Sequence, residues 1–247
     1  MLFNMKTVVK IMVAVLALAL MAPATTYAAK KKKEVKWEMP SGSSGIEQLD
    51  TYFNTVNTAY TNFKNLQQSV TYYSVRPIQV TQADGTVKTV RMVVDQNGTI
   101  RDSDKALQQY WDWGNAALDI VKQMRDIVNQ KDNVISAAKK DFMTALTYSS
   151  YIINGAAVSA NGLIALKDMA VALRNQGKEI RQFKKDYTED GELKNATMDA
   201  SSIDDSYSNN EPIQKTSEEF DKELAAAKAE GEGITAPDSD VDFGDLL

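Results

Sequence analysis

Neither cysteine nor histidine occurs anywhere in the 247-residue chain. Without cysteine there are no disulfides, so stability must come from packing alone. There is also no thiol to carry a lipid or a nucleophile. Without histidine the chain lacks the commonest general base and metal ligand, and the one side chain whose ordinary pKa lies near neutrality. Ser-His-Asp and Cys-His catalysis are excluded, as are Cys and His zinc sites. No phosphate-binding G-x-x-x-x-G-K-[ST] and no G-x-S-x-G appears. Asp95-Gln96-Asn97-Gly98 starts like a calcium loop, but its glycine stands at position four rather than six, and no acid stands at position twelve. Neither an enzyme, a cofactor, a metal nor a nucleic-acid partner is expected.

Charge is missing from one long window. FMTALTYSSYIINGAAVSANGLIAL, residues 142 to 166, holds 25 residues without a charge, although 25% of the chain is charged. Sixteen of the 25 are apolar, and Thr, Ser, Asn and Gly interrupt every long apolar run. A lipid-facing span would hold about 20 predominantly apolar residues. The favoured reading is burial in a helical body, with Gly155, Ser159 and Gly162 permitting close helix contact. Membrane insertion and a partner-binding tip are the alternatives.

The N-terminus has the layout of a secretory signal peptide. Lys6 and Lys10 precede an apolar run from Ile11 to Ala22, and Thr26-Tyr27-Ala28 offers a cleavage site. Residues 1–28 are read as this signal, which implies a periplasmic or extracellular protein. Residues 29–45, with Lys30 to Lys33, read as a linker. Residues 1–188 carry 24 Lys+Arg against 16 Asp+Glu, a net of +8. Residues 189–247 carry 4 against 17, a net of −13. Residues 188–247 are therefore expected to be an acidic, mostly disordered tail, dispensable for folding, with a short surface helix over 217–229.

Residues 46–187 are expected to form a helical domain. Ser44 and Glu47 fit a capping box. Ile46, Leu49, Phe53, Val56, Tyr60, Phe63 and Val70 recur at gaps of three and four, or seven across Gln67, predicting a helix over about 45–74. Arg76-Pro77 then ends it. Asp84-Gly85, flanked by β-branched residues, predicts a type I′ turn and Asn97-Gly98 a second tight turn, giving a three-stranded antiparallel meander over 77–101.

Helical periodicity returns at Ser103 or Asp104 and continues to Tyr187. A single helix of that length would be about 126 Å long, so it must fold back. Asn154-Gly155 and Asn161-Gly162 are the favoured place for the turn, since Asn and Gly accept the left-handed conformation that ends helices. A bend or second turn is also read near 131. The expected fold class is mainly α: an elongated bundle of three to four long helices with the meander inserted after the first.

The candidate partner-binding residues follow from this layout. Tyr110, Trp111 and Trp113 form an aromatic group that either pins the meander to the helices or faces a partner. Asp84 and Gly85 lie at a hairpin tip. Asn154, Gly155, Asn161 and Gly162 mark the expected helical turn.

In layout the chain resembles two groups. Minor pilins of conjugative secretion systems are exported, cysteine-poor, elongated helical bundles with a small appended subdomain. Alpha-helical pore-forming toxins combine long helices with a β-tongue and an uncharged window. The first resemblance implies a non-enzymatic component of an envelope or extracellular assembly, with a protein partner or self-assembly. The second implies membrane contact through 142–166.

Overall fold

The computed structural model describes residues 36–195, 207 and 211–237. The expected signal peptide and the Lys30 to Lys33 run lie outside the described residues. Among those described the chain is mainly helical, with a small three-stranded mixed sheet. In chain order the elements are α1 (Glu47–Ser69), β1 (Tyr73–Thr81), β2 (Val87–Asp95), α2 (Ser103–Ala138), α3 (Phe142–Asp186), β3 (Ile213–Thr216) and α4 (Ser217–Gly231).

The apolar face of α1 is the one its period marks. Leu49, Phe53, Val56 and Phe63 are buried together with Tyr52, Ala59 and Leu66. Its start differs from expectation. Ile46 is the N-cap residue, and no side chain caps the helix. The Ser43 hydroxyl and Ser44 N–H instead donate to Asp50 in the first turn, and together they hold that carboxyl below its ordinary pKa. The helix also ends early, at Ser69, because Tyr73 is already committed to the sheet. Its N–H donates to the Tyr110 hydroxyl (2.8 Å). Part of the expected linker is packed as well: Trp37 is buried, 6.4 Å from the Phe53 ring centre.

The long helical stretch does fold back, but not at the Asn-Gly pairs. The turn is Lys139–Asp141, and the Asp141 side chain caps α3 by accepting from the Thr144 N–H (2.7 Å). Helix α3 then runs 45 residues straight through Asn154-Gly155 and Asn161-Gly162. A glycine inside a helix costs about 1 kcal/mol relative to alanine. Packing explains why the helix keeps both. A Cβ on Gly155 would lie 3.0 Å from Val56 and 3.3 Å from both Trp37 and Tyr52. On Gly162 it would lie 2.6 Å from the Met124 methyl. These glycines are therefore sites of close approach rather than breakers.

Contacts between the helices set their directions. Tyr52 donates to the Ile152 carbonyl (3.0 Å), Val56 faces Gly155, and Phe63 faces Gly162. Residue numbers rise together, so α1 and α3 run parallel. Tyr110 pairs with Gln176, and Asp104 with Lys184, so α2 runs against both. The three share one apolar core, with Ile152, Leu166, Leu173 and Ile180 from α3 almost wholly buried.

Strand β1 is central in the sheet order β2-β1-β3. It pairs antiparallel with β2, from Tyr73↔Asp95 to Thr81↔Val87. The third strand is not the expected one. Thr99–Arg101 does return beside β2, but through the single bridge Val94↔Ile100. Asp102 then caps α2 immediately, leaving no length for a strand. The third strand comes from the tail: β3 pairs parallel with β1, Ile78↔Ile213 to Thr81↔Thr216. The sheet is therefore mixed, not an antiparallel meander. Its tight turns also differ from type I′. Gly85 N–H donates to Gln82 O and Gly98 N–H to Asp95 O, each 2.9 Å. Each glycine is thus the last turn residue, with φ of 84° and 78°. This is the three-residue hairpin form with a left-handed glycine after the turn.

The described part of the acidic tail is ordered structure, docked on the body. Helix α4 carries a capping box between Thr216 and Glu219, and Phe220, Leu224 and Ala227 cover Ile78, Val80, Val90, Met92, Val94 and Ile100. Charge supports the docking. Arg101 pairs with Glu230 (2.7 Å), Glu223 accepts from the Ile100 N–H (2.9 Å), and Lys88 pairs with Glu192. The Tyr207 hydroxyl donates to Asp186 (2.9 Å) under the Arg91 guanidinium.

Candidate interaction surface

The aromatic group at the start of α2 is mostly enclosed. Tyr110 and Trp113 are buried and Trp111 is half-buried. Tyr110 accepts from Tyr73 and donates to Gln176, and burial drives its phenol pKa well above the ordinary value. Trp113 donates its indole N–H to Leu66 O (3.4 Å). These two rings tie α1, α2 and β1 together, and facing a partner would require unpacking the core. Gly155 and Gly162 are buried for the reason given above, while Asn161 is exposed. Asn154 is half-buried and donates to the Lys36 carbonyl (3.2 Å).

Asp84 and Gly85 are exposed at the hairpin tip. Asp84 accepts from the hydroxyl (2.7 Å) and N–H (2.9 Å) of Thr86, which hold its carboxyl below the ordinary value. Both bonds fall on one carboxylate oxygen and shape the turn. Val87 beside it is 58% exposed.

A different set of residues faces solvent on α3. Phe142 is 69% exposed, Met143 63%, Leu146 68%, Ile164 48% and Val171 41%. At 100° per residue, Phe142, Leu146, Ile164 and Val171 fall on one face, opposite the buried side. The sequence carried a signal for them. Leu146, Ile153, Ile164 and Val171 are apolar yet lie on the side of the helix away from the buried Leu166, Leu173 and Ile180. An apolar residue off the core period, repeated along one helix, marks a second apolar face.

One of the other concavities is lined by structural ion pairs. A cleft of about 520 Å³ lies between α4 and the start of α2, lined by Arg101, Asp104, Phe183, Lys228 and Ile234 among others. Three of its charged side chains are in ion pairs: Arg101 with Asp95 and Glu230, Asp104 with Lys184, and Lys228 with Asp190. Among the described residues no group of three or more acidic side chains could hold a metal ion. No family model, curated protein or solved structure matches the chain. The geometry therefore carries the functional argument alone, and its most prominent exposed feature is the apolar face of α3.

Proposed function

We propose that this is an exported, non-enzymatic component of a cell-envelope or extracellular assembly, an elongated helical bundle that works by protein contact through α3. The observation that carries the reading is the exposed apolar set Phe142, Met143, Leu146, Ile164 and Val171 on a helix whose first 25 residues are uncharged. Export rests on the N-terminal signal pattern. Isolated exposed apolar residues would need no partner, but large apolar groups aligned on one face lose water only when something covers them.

A photoreactive residue at position 146, in the native host, tests the contact. The expected outcome is a cross-link to protein, lost when the same face is disrupted by Ile164→Asp. Absence of any protein cross-link from position 146 would overturn the reading.

A second reading has its own support. Among the described residues α3 is the one helix long and apolar enough to cross a membrane, with a mean hydropathy of 1.4 over 18 residues. On that reading the protein is part of an alpha-helical pore. Forty-four percent of that window is buried in the fold, and insertion would first have to strip α1 and α2 from it. Dye-loaded liposomes decide between the two: contact predicts no leakage, and dose-dependent leakage would favour the pore.

A further inference from the structure

We infer that the outer face of α3 docks a second copy of this chain, the two helices lying antiparallel about a two-fold axis level with Gly155. This deepens the protein-contact reading and rests on it. The face comprises Phe142, Leu146, Ser150, Ile153, Ala157, Ala160, Ile164, Asp168 and Val171. The gaps are four, four, three, four, three, four, four and three, so all nine fall within an arc of about 80°. None is buried. From the first to the last the face runs about 44 Å. Residues three and four apart share a face of a helix, so the nine form one continuous stripe.

Self-complementarity selects the occupant. Large side chains stand toward the ends of the face, and its middle holds Ile153 among the small Ser150, Ala157 and Ala160. In an antiparallel pair centred at Gly155, Leu146 lies opposite Ile164 of the partner subunit, Ser150 opposite the partner's Ala160, and Ile153 opposite the partner's Ala157. Ile153 thus packs on the partner's small Ala157 on either side of the axis, and Ser150 meets the partner's Ala160 about one turn further out. Such an arrangement is isologous, each copy supplying the same patch.

Charge selects the direction. Asp168 is the one charged residue on the face, and the exposed turn just before Phe142 carries Lys139, Lys140 and Asp141, a net charge of +1, with the Asp141 carboxylate engaged in capping α3. Antiparallel pairing brings these lysines beside the partner's Asp168, with their aliphatic stems over the partner's Val171. Parallel pairing would set Asp168 against itself and the lysines against themselves. The same Asp168, with Lys167 beside it, disfavours a lipid surface as the occupant, because charged groups resist burial in hydrocarbon.

The experiment uses the purified full chain. Sedimentation equilibrium is expected to show a concentration-dependent dimer. Leu146→Asp and Ile164→Asp should each weaken it by about tenfold or more, with an unchanged thermal midpoint, since both positions are exposed. Because the chain has no cysteine of its own, introduced thiols report the direction. Leu146→Cys with Ile164→Cys in one chain should oxidise to a covalent dimer, while either single variant should not. Self-linking of a single variant would mean parallel pairing and overturn the geometry. A monomer up to roughly 100 µM, or a dimer indifferent to both aspartates, would overturn the inference. If that monomer still cross-links from position 146 to another host protein, the contact reading survives and only the second copy falls. If it cross-links to nothing, both fall.

Discussion

The described residues form two apolar cores that are built differently. The larger lies among α1, α2 and α3, with contributions from Trp37 and from Tyr73, Val75 and Val93 of the sheet. The smaller lies between the sheet and α4, joining Ile78, Val80, Val90, Met92, Val94 and Ile100 to Phe220 and Ala227. The first is assembled mainly from long helices whose own periodicity declares the buried face. The second joins segments more than a hundred residues apart, such as Ile100 and Glu223. The sheet serves both without breaking its alternation. Val75 and Val93 point to the helices, while Ile78, Val90, Met92 and Val94 point to α4. A two-faced sheet can link two cores only if each face has its own cover.

Removing residues 211–247 is the largest way to break this comparison. It strips β3 and α4 and uncovers six apolar residues of the sheet face. The expected result is dye binding to exposed apolar surface and aggregation, with the α1–α3 helical signal retained at low concentration. A truncated chain that stays soluble, with an unchanged denaturation midpoint, would show that the second core contributes nothing.

Phe53→Ala tests the first core alone. The ring is 2% exposed and touches Trp37, Tyr52, Tyr148 and Tyr151. Its loss should cost about 3–5 kcal/mol by chemical denaturation. A change below about 1 kcal/mol would mean that this cluster repacks without a cavity.

Acid should loosen the boundary between the cores. Asp95 is buried, which raises its pKa, but N–H groups of Thr99 and Asn97 and the Arg101 guanidinium together outweigh this and hold it below the ordinary value. Its stabilising effect is therefore fully present above the unfolded value of about 3.9. It is lost as pH falls through the lower folded value. Asp95→Asn should flatten that part of the pH–stability curve, and an unaltered curve would remove Asp95 from the account.

Thr216→Ala should have the smallest effect, about 1 kcal/mol, from loss of the α4 cap. Hydrogen exchange should speed up in α4 and β3 and not in α1–α3. Equal acceleration everywhere would mean that the two cores unfold as one unit.

Helices α1, α2 and α3 were legible because an apolar repeat of three and four residues is a local property, visible without knowing what covers it. The hairpin β1–β2 was legible for the same reason, from β-branched runs and Asp-Gly. The turn of the helical hairpin was misplaced because Asn-Gly is a statistical breaker, whereas Gly155 and Gly162 are held in the helix by Val56, Tyr52, Trp37 and Met124. The strand β3 was missed because Ile213-Gln214-Lys215-Thr216 has no pattern of its own, being four residues in an acidic stretch. The exposed face of α3 left a trace in the sequence, as apolar residues off the core period, but exposure itself is a property of the packed state.

The sequence by itself determined the helical class, the apolar face of each long helix, the location of the β-hairpin and the exclusion of histidine and cysteine chemistry. Each follows from residue type and short-range spacing, which act before any distant contact forms. Tertiary structure alone decided where the long helix turned, which strand completed the sheet, and that the acidic tail covers it. Those outcomes depend on close approach at Gly155 and Gly162, on parallel pairing across more than a hundred residues, and on carboxylates meeting Arg101 and the Ile100 N–H. Such terms have no counterpart in local propensity, because they exist only once distant segments share the same space.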